Sequence, residues 1–381
     1  MSDLCRNCKN NLPGDILLSY SNMPKSAQFF PTADEVGDES GIDIILRQCP
    51  YCGLVQASGT PVSYYRDVIR AVGVSSEMGD FRKKQYKEWV DKYNLNNRKV
   101  IERGCGRGEY MQYMERTGAQ VYGLEHLHES VEKGRKDGHN IIEGFLEDES
   151  YVIEGGPYDG FYIMNFLEHI PDPAMFMRAI RNNLSDEAYG IVEVPNFDMM
   201  ISNSLYSEFI QDHLSYFTID TLETLLKQNG FEVIETKAVW YDYIISAVVR
   251  KRTRLCVDDM NGRQSMIKKQ VKEYIDTRKK DGKTIAVWGA GHQALANLSL
   301  LDMAGGIECV LDSAKFKQNH YTPATHIPVV GPDKLKEGKI DYVIIMAGSY
   351  SDEIAGIIQR EYPKVGYAIM RDDGLEIGND N

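Results

Sequence analysis

A chain of 381 residues with 43% hydrophobic and 26% charged residues has the composition of a folded protein of two or three domains, which excludes intrinsic disorder. Its net charge of −13 argues against nucleic acid and anionic membranes as partners, because like charges repel. The sequence contains neither a signal-peptide core nor an apolar run near the roughly 20 residues that span a bilayer. We therefore expect a cytoplasmic protein whose cysteines stay reduced.

Three stretches differ in character and predict three domains. Residues 1–79 are rich in turn-forming residues and contain four of the seven cysteines. Residues 80–251 alternate short apolar runs with helical patterns, which predicts a parallel sheet covered by helices. Residues 252–381 open with a polar helical stretch at 266–280 and then repeat the β/α alternation on a smaller scale.

Two Cys-x-x-Cys pairs mark the first stretch. Cys5 and Cys8 form one pair, and Cys49 and Cys52 form the other. Each pair places two thiolates on one tight turn, so together they supply the four tetrahedral ligands that zinc prefers. Because no histidine or carboxylate accompanies them as an open-site ligand, we predict that the zinc is structural.

The second stretch predicts a regular order of strands and helices. Short apolar runs predict strands at 99–102, 120–124, 158–165, 190–194, 231–235 and 243–249. Helical spacing predicts one helix at 109–117, one with Phe176, Ala179, Ile180 and Leu184 on one face, and one with Leu222, Leu225 and Leu226 that ends near Gly230. A parallel sheet that ends in an antiparallel pair fits this order.

A glycine-rich loop follows the first predicted strand of this stretch. Gly104, Gly106 and Gly108 stand between strand and helix, where glycine allows a tight turn and close approach to a ligand. The next strand ends at Glu125, about 20 residues further on, where a carboxylate can accept both ribose hydroxyls of an adenosine. The glycine loop and Glu125 would also suit NAD. We favour S-adenosylmethionine, because Glu102 can approach a methionine ammonium and the loop lacks a long pyrophosphate turn.

The ends of the neighbouring strands complete the predicted site. The remaining residues predicted to contact the cofactor are Cys105, His126, Phe145, Leu146, Asn165 and Phe166. His169 comes directly after the strand predicted at 158–165, at the strand end where open α/β sheets place their chemistry. We therefore treat His169 as a candidate functional residue, with a purely structural histidine as the alternative.

With these features the sequence resembles the sugar C-methyltransferases that act on nucleotide-linked ketosugars, over nearly the whole chain. Besides the cysteine pairs and the glycine loop, the resemblance rests on several motifs. They are Asn-Met-Pro-Lys-Ser-Ala-Gln-Phe-Phe-Pro from Asn22, Cys-Gly-Leu-Val from Cys52, Glu-His-Ile-Pro-Asp-Pro from Glu168, Asp-His-Leu-Ser-Tyr-Phe from Asp212, Asp312-Ser313, Lys317-Gln318, Tyr-Thr-Pro from Tyr321 and His-Ile-Pro from His326.

The resemblance implies an α/β fold with a seven-stranded class I methyltransferase sheet, a small zinc-binding N-terminal lobe and a Rossmann-like C-terminal domain. It also implies methyl transfer from S-adenosylmethionine to a nucleotide-activated ketosugar bound between the last two domains. In this reaction a base removes a proton beside the ketone, and the enolate carbon attacks the sulfonium methyl. A neutral histidine suits the proton transfer.

Particular residues match the family's functional positions. His169 and His213 fall on the family's two histidines, Asp212 stands where a glutamate is common, and Tyr64 or Tyr65 lies near a family tyrosine. The residues that the resemblance places against the substrate are Tyr216, His292 and Asp312. For His292 there is also a physical reason, since it opens a predicted helix whose N-terminus would attract a phosphate.

The sequence also departs from the family, and two alternatives remain open. Ile210 and Gln211 replace a tyrosine and a histidine, and Arg103 replaces a small apolar residue. The missing tyrosine favours O-methylation of a sugar or small metabolite, which needs only one histidine base. The second alternative is an NAD-dependent oxidoreductase module, because a strand runs into Gly-x-Gly-x-x-Ala from Gly289 and Asp312 follows at dinucleotide spacing.

Overall fold

The computed structural model describes residues 4–25, 30–66 and 74–379. The chain folds as two compact units, Met1–Thr253 and Arg254–Asn381. Part of the family motif that begins at Asn22, residues 26–29, lies outside the described residues. None of the described helices has the length and apolar character that crossing a membrane would require.

The first unit contains a long mixed sheet, a smaller sheet and the helices that cover them. Its strands are β1 (Leu18–Met23), β2 (Ile42–Gln48), β3 (Val55–Ala57), β4 (Lys99–Arg103), β5 (Gln120–Glu125), β6 (Ile141–Glu143), β7 (Tyr158–Met164), β8 (Leu184–Pro195), β9 (Ser215–Tyr216), β10 (Phe231–Val239) and β11 (Ile244–Lys251). Its helices are α1 (Ser76–Lys92), α2 (Met111–Met114), α3 (His128–Lys136), α4 (Pro173–Asn182), α5 (Phe197–Ser202) and α6 (Ile219–Gln228).

The long sheet has seven strands in the order β10-β11-β8-β7-β4-β5-β6. The five strands β8, β7, β4, β5 and β6 are parallel to one another, whereas β11 runs antiparallel to both β8 and β10. The order reverses direction beside β4, so the loop after β4 lies at the switch point where such sheets bind ligands. This topology confirms the predicted class I methyltransferase fold with its antiparallel terminal pair.

The smaller sheet of the first unit joins distant parts of the chain. Its order is β1-β2-β3-β9, and β9 comes from the segment directly after His213. The pairing aligns Val55 of β3 with Tyr216 of β9. Because the two cysteine pairs flank β2 in sequence, the cysteine-rich segment and the His213 segment share one sheet.

The second unit is built around another seven-stranded sheet, in the order β14-β15-β13-β12-β16-β17-β18. Its strands are β12 (Ile285–Trp288), β13 (Cys309–Leu311), β14 (His320–Tyr321), β15 (Pro328–Val330), β16 (Tyr342–Ile345), β17 (Gly366–Arg371) and β18 (Gly374–Asn379). Its helices are α7 (Asp258–Lys280), α8 (His292–Leu300) and α9 (Ser351–Glu361). The inner strands are parallel, and β14 and β18 close the two edges as antiparallel strands.

Three predicted elements differ from the observed ones. The helix expected at 109–117 starts at Met111 and passes into a 3₁₀ turn before Gly118. The placement of Leu184 on a helix is wrong, because α4 ends at Asn182 and Leu184 begins β8. Leu184 keeps the helical spacing to Ile180 and is buried like it, so the apolar pattern alone did not mark the boundary. The polar helix expected at 266–280 is longer and starts at Asp258.

Candidate active site and cysteine cluster

The glycine loop after β4 is held in place by the acidic end of β5. The backbone N–H of Gly106 donates to Glu125 Oε2 over 2.9 Å, and the N–H of Leu127 donates to Oε1 over 2.9 Å. Gly104 has a φ of +69° and a Cβ there would come within 3.0 Å of the Phe166 ring. A side chain at Gly104 would therefore be strained in its backbone and crowded at once.

A cavity lies beside this loop, and it gathers residues that the sequence places far apart. It is lined by Arg66, Arg103, Gly104, Leu124, Glu125, His126, Gly144, Phe145, Phe166 and Phe176. The rings of His126 and Phe145 meet edge to face, with centroids 6.0 Å apart. An aromatic wall beside a carboxylate at a strand end suits an adenosine, whose base stacks on aromatic rings and whose ribose hydroxyls donate hydrogen bonds to the carboxylate.

The other residues predicted for the cofactor take up positions around the same strand ends. Glu102, Cys105 and Leu146 are fully buried. Asn165 directly follows β7 in a left-handed conformation, with φ of 49°, and its N–H donates to the carbonyl of Glu193 over 3.0 Å. Asn165 thus turns the chain sharply between β7 and the His169 segment.

Arg103 is an unusual component of the cavity wall. Its side chain is 2% exposed, and Nε and Nη1 have no hydrogen-bond partner among the described residues. The guanidinium lies 5.7 Å from the centre of the Phe176 ring, and burial lowers the pKa of Arg103 to about 9. The small apolar residue of the resembled family is thus replaced by a buried cation at the edge of the cavity beside the glycine loop.

His169 and His213 come together, as the resemblance implies. Their ring centroids are 4.9 Å apart, although 44 positions separate them in sequence. Nδ1 of His169 lies 2.9 Å from the backbone carbonyl oxygen of Asp212. A carbonyl oxygen only accepts, so Nδ1 carries the proton and Nε2 presents its lone pair. In this tautomer His169 can act as a base or as a metal ligand.

The environment of this pair favours neutral side chains. Burial, followed by the charge of His169, lowers the pKa of His213 to about 3. Burial likewise lowers the pKa of His169, against the opposing effect of its bond to Asp212. Burial raises the pKa of Glu168 to about 8, and its Oε1 lies 3.9 Å from Nε2 of His169. Two neutral imidazoles beside a buried carboxyl can move protons near pH 7.

Glu168, His169 and His213 also form a possible ligand set. One ligand atom from each lies within 4.8 Å of the others. Two imidazoles and a carboxylate are a donor set that divalent transition metals accept. The chemistry of the cluster therefore allows either proton transfer or cation binding.

The two candidate tyrosines lie in different places. The hydroxyl of Tyr64 donates to Asp212 Oδ1 over 2.8 Å, so Tyr64 reaches the histidine cluster. Tyr65 instead packs edge to face on Phe145, with centroids 6.1 Å apart, and its oxygen accepts from Nε of Arg66 over 3.1 Å. Tyr64 thus lies with the histidines, and Tyr65 lies beside the cavity that Phe145 lines.

Tyr216, predicted as a substrate contact, lies beneath the cluster. It is 3% exposed, its ring centroid is 6.1 Å from that of His213, and its hydroxyl donates to the carbonyl of Ile210 over 3.3 Å. Its phenol therefore holds the loop between Ile210 and β9. Leu214, between His213 and β9, donates its N–H to the carbonyl of Glu168 over 2.9 Å.

The four cysteines of the Cys-x-x-Cys pairs converge on one point. Their sulfur atoms all lie within 4.8 Å of one another, and the Cys5–Cys52 and Cys8–Cys49 sulfurs are 3.5 Å apart. Zinc–sulfur bonds of about 2.3 Å in a tetrahedron place sulfurs roughly 3.8 Å apart, so the cluster fits a zinc ion. The side-chain hydrogen bond from Cys5 lowers the pKa of Cys52 to about 5, which favours a thiolate there.

In the second unit, Asp312 is already engaged by the protein. Oδ2 accepts the N–H of Ala290 over 2.9 Å, and Oδ1 accepts the N–H of Ala314 over 2.8 Å. Lys317 Nζ lies 2.9 Å from Oδ2 and also donates to the carbonyl of Ala290. The carboxylate that a dinucleotide ribose would need is thus neutralised. His292 opens α8, at the predicted helix start, and its side chain is exposed.

Comparison with known proteins bears on both units. Residues 78–236 match a protein-family model described as a methyltransferase domain. Residues 256–370 match one described as a C-methyltransferase C-terminal domain. The C-methyltransferase NovU of Streptomyces niveus is 22% identical over 92% of this chain and 91% of its own length. The chain is an S-adenosylmethionine-dependent methyltransferase.

Two further similar proteins align with only part of this methyltransferase. The ubiquinone biosynthesis O-methyltransferase of Burkholderia pseudomallei is 23% identical over 40% of this chain and 73% of its own length. Magnesium protoporphyrin IX methyltransferase from Synechocystis, crystallised with bound SAH, is 15% identical over 50% of this chain and 91% of that chain, with a TM-score of 0.39.

Two residues of the candidate site, Arg66 and Glu168, could not be predicted as site residues from the sequence. Arg66 lines the cavity beside the glycine loop, and its guanidinium lies 5.2 Å from the centre of the Phe145 ring. Glu168 belongs to a family motif, but its burial against His169 is visible only in the fold. Arg66 contacts Phe145, about 80 positions away, and Glu168 lies near His213, about 45 positions away. No local sequence pattern relates residues at such separations.

Proposed function

We propose that this methyltransferase transfers a methyl group from S-adenosylmethionine to the carbon next to the ketone of a nucleotide-activated sugar. The observation that carries the proposal is the cluster of Tyr64, Asp212, His169 and His213. Carbon methylation needs a base for an unactivated C–H proton, and a second group that stabilises the enolate. The cluster offers both, in a buried environment that keeps the imidazoles neutral.

The chemistry follows from the tautomer of His169. Because Nδ1–H is occupied by the Asp212 carbonyl, the lone pair of Nε2 is the acceptor for the substrate proton. The C–H electrons pass to the ketone oxygen as an enolate. The enolate carbon then attacks the sulfonium methyl, the methyl–sulfur bond breaks, and S-adenosylhomocysteine leaves. In this proposal Tyr64, joined to Asp212, takes over the role of the tyrosine that Ile210 replaces.

Two further observations support a nucleotide-linked acceptor. The second unit matches the family model described as a C-methyltransferase C-terminal domain, and the alignment with NovU extends over both units. His292 stands exposed at the N-terminus of α8, where backbone N–H groups favour a phosphate. The engagement of Asp312 by Lys317 argues against a dinucleotide in the same unit. We infer that the cysteine cluster holds a structural zinc and that the second unit serves the acceptor.

Proton exchange tests the proposal directly. A nucleoside-diphosphate ketosugar is incubated with the enzyme and S-adenosylhomocysteine in D₂O, and NMR follows the proton beside the ketone. We expect exchange with the wild type, and loss of exchange in both His169→Ala and His213→Ala. No exchange with the wild type, together with a methyl group on a hydroxyl oxygen in the product, would replace the proposal with O-methylation. The replacement of the family tyrosine by Ile210 favours that second candidate.

A further inference from the structure

Arg6, which stands between the first two cysteines, has no place in the chemistry described so far. Its guanidinium donates from Nη1 to the carbonyl of Pro171 over 2.9 Å, and from Nη2 to the carbonyl of Gly59 over 3.1 Å. Pro171 comes two residues after His169, and Gly59 comes five residues before Tyr64. One side chain therefore bridges the backbones of the two segments that carry the candidate base and the candidate phenol.

The segment that carries Arg6, residues 5–9, is called the cysteine turn here, and two neighbouring elements fix it. The backbone N–H of Arg6 donates to Oε1 of Gln56, in β3, over 2.7 Å. Asn7 is buried, and its Nδ2 donates to Oε1 of Gln228, the last residue of α6, over 3.0 Å. The cysteine turn is thus anchored on β3 and on α6, and the Arg6 side chain extends from a fixed base.

A second cation of the cysteine turn also contacts the loop after His169. Nζ of Lys9 lies 2.7 Å from Oδ2 of Asp172. Both of these side chains are well exposed, so water screens the ion pair and its contribution is small. The bond from Arg6 to the Pro171 carbonyl is partly buried and has a charged donor, which makes it the stronger constraint on this loop.

We infer that Arg6 is a positioning residue that holds the loop after His169 and the segment before Tyr64 on the cysteine turn. The donors of a guanidinium lie in one plane at fixed angles, so two carbonyls bound to it keep a fixed separation. His169 and Tyr64 thereby keep the relative position that proton transfer requires. None of the described partners of Arg6 lines the cavity beside the glycine loop, so the affinity for S-adenosylhomocysteine should not depend on Arg6. The inference rests on the roles proposed above for His169 and Tyr64.

Amide hydrogen exchange, followed by mass spectrometry on the full chain, tests the inference without an acceptor. Both segments contain backbone hydrogen bonds whose opening can be followed. The N–H of Ile170 donates to the carbonyl of Leu167 over 3.2 Å, and the N–H of Ala57 donates to the carbonyl of Leu214 over 3.0 Å. Metal analysis and calorimetric titration with S-adenosylhomocysteine accompany the exchange measurement.

The variant is Arg6→Ala, and the matched control is Arg116→Ala, which removes an exposed arginine elsewhere in the first unit. In Arg6→Ala, exchange should become about 10- to 100-fold faster in residues 57–65 and 165–172, as loss of a charge-assisted hydrogen bond predicts. The bound metal should be retained, and the affinity for S-adenosylhomocysteine should change less than about threefold, because the partners of Arg6 lie outside the cavity. Millimolar guanidinium should restore slow exchange in both ranges. Arg116→Ala should behave as the wild type throughout.

Two outcomes would overturn the inference. Unchanged exchange in both ranges would remove Arg6 from the positioning of the site. Faster exchange over the whole first unit, with loss of the metal and no response to guanidinium, would make Arg6 a folding residue only. If Arg6→Ala does not fold, Arg6→Gln retains most of the side chain's length, and its faster exchange should again be confined to the two ranges.

The exchange result does not depend on the identity of the acceptor, so a failure of ketosugar methylation would leave it standing. With an acceptor that the wild type methylates, Arg6→Ala should lower kcat about 10- to 100-fold through misplacement of His169 and Tyr64. The KM for S-adenosylmethionine should stay at the wild-type value. An increase in this KM with unchanged kcat would contradict the inference, because it would place the effect of Arg6 on the methyl donor.

Discussion

The hydroxyl of Tyr64 lies 2.8 Å from Asp212 Oδ1, which joins two segments 148 positions apart. The backbone carbonyl of the same aspartate accepts Nδ1–H of His169. Asp212 therefore orients both the phenol and the imidazole, one through its side chain and one through its backbone. A substitution at either partner should act on turnover and leave the cavity beside the glycine loop intact.

The first prediction separates the two neighbouring tyrosines. Tyr64→Phe keeps the ring but removes the bond to Asp212, so kcat should fall roughly 10²-fold, the low end for a lost proton-transfer partner. Tyr65→Phe removes the acceptor for Arg66 beside Phe145, so it should weaken S-adenosylhomocysteine several-fold with kcat nearly unchanged. Turnover and calorimetric titration of both variants check this. The reverse pattern would exchange the roles of the two residues.

The second prediction concerns the acid limb of activity. Burial lowers the pKa values of His169 and His213 below the ordinary 6.5, to about 3 for His213. A base must be unprotonated, so kcat/KM should stay level as pH falls to 6.5 and decrease only below it. The pH profile of kcat/KM measures this. A midpoint at or above pH 7 would show that a different group is the base.

The third prediction follows from the buried carboxyl of Glu168. Its pKa is raised from 4.5 to about 8, so folding favours the protonated form. This contribution to stability is fully present below pH 4.5 and is lost as pH rises through about 8. The glutamine of Glu168→Gln stays neutral at both pH values. The free energy of unfolding should therefore decrease from pH 5 to pH 8 in the wild type by roughly 2–5 kcal/mol more than in Glu168→Gln.

Urea denaturation at the two pH values gives these free energies of unfolding. Glu129→Gln is the control, because Glu129 is exposed on α3 and its replacement should leave the wild-type pH dependence unchanged. If Glu168→Gln and the wild type lose the same stability, Glu168 is ionised in the folded protein at pH 5.

The fourth prediction tests the cysteine cluster against the histidine cluster as a metal site. Metal analysis should find about one zinc per chain, retained in His169→Ala and lost in Cys52→Ser. Because a structural zinc contributes much of a small lobe's folding free energy, Cys52→Ser should lower Tm by on the order of 10 °C. Cys256→Ser is the matched control, since Cys256 is exposed and outside the cluster. Zinc that follows His169 instead would place the metal at the histidines.

The fifth prediction concerns the ion pair of the second unit. Within the described part of the chain, Lys317→Met leaves the Asp312 carboxylate with its two backbone partners, Ala290 and Ala314, so it should cost about 1–2 kcal/mol of stability, less than loss of a fully buried pair. Lys315→Met, at an exposed position, should cost almost nothing.

Fluorescence titration of the wild type with NADH should give no saturable change. Saturable NADH binding would instead support the alternative of an NAD-dependent oxidoreductase module.

Much of the fold was predictable because its signals are local. The glycines after β4, Glu125 at the end of β5 and the paired cysteines each stand within a few residues of the element that positions them. Leu184 shows the limit of such signals, since an apolar residue at helical spacing was also compatible with the start of a strand.

The buried charged groups were less predictable than the fold. Arg82 stands in the run Phe-Arg-Lys-Lys and has the appearance of a solvated cation. Only the fold brings Glu193 to it from 111 positions away. Local pattern cannot identify a residue whose partner is supplied by a different strand of the sheet.

The pairing of β3 with β9 has a consequence for any attempt to divide the protein by its sequence domains. A chain begun at residue 80 would keep β9 but lose β1, β2 and β3, and the strand after His213 would become an open edge. Phe197, Phe209 and Tyr216, which pack against Ile44 and Leu46, would face water. An exposed edge beside aromatic side chains recruits other chains, so such a fragment should aggregate rather than behave as a minimal methyltransferase.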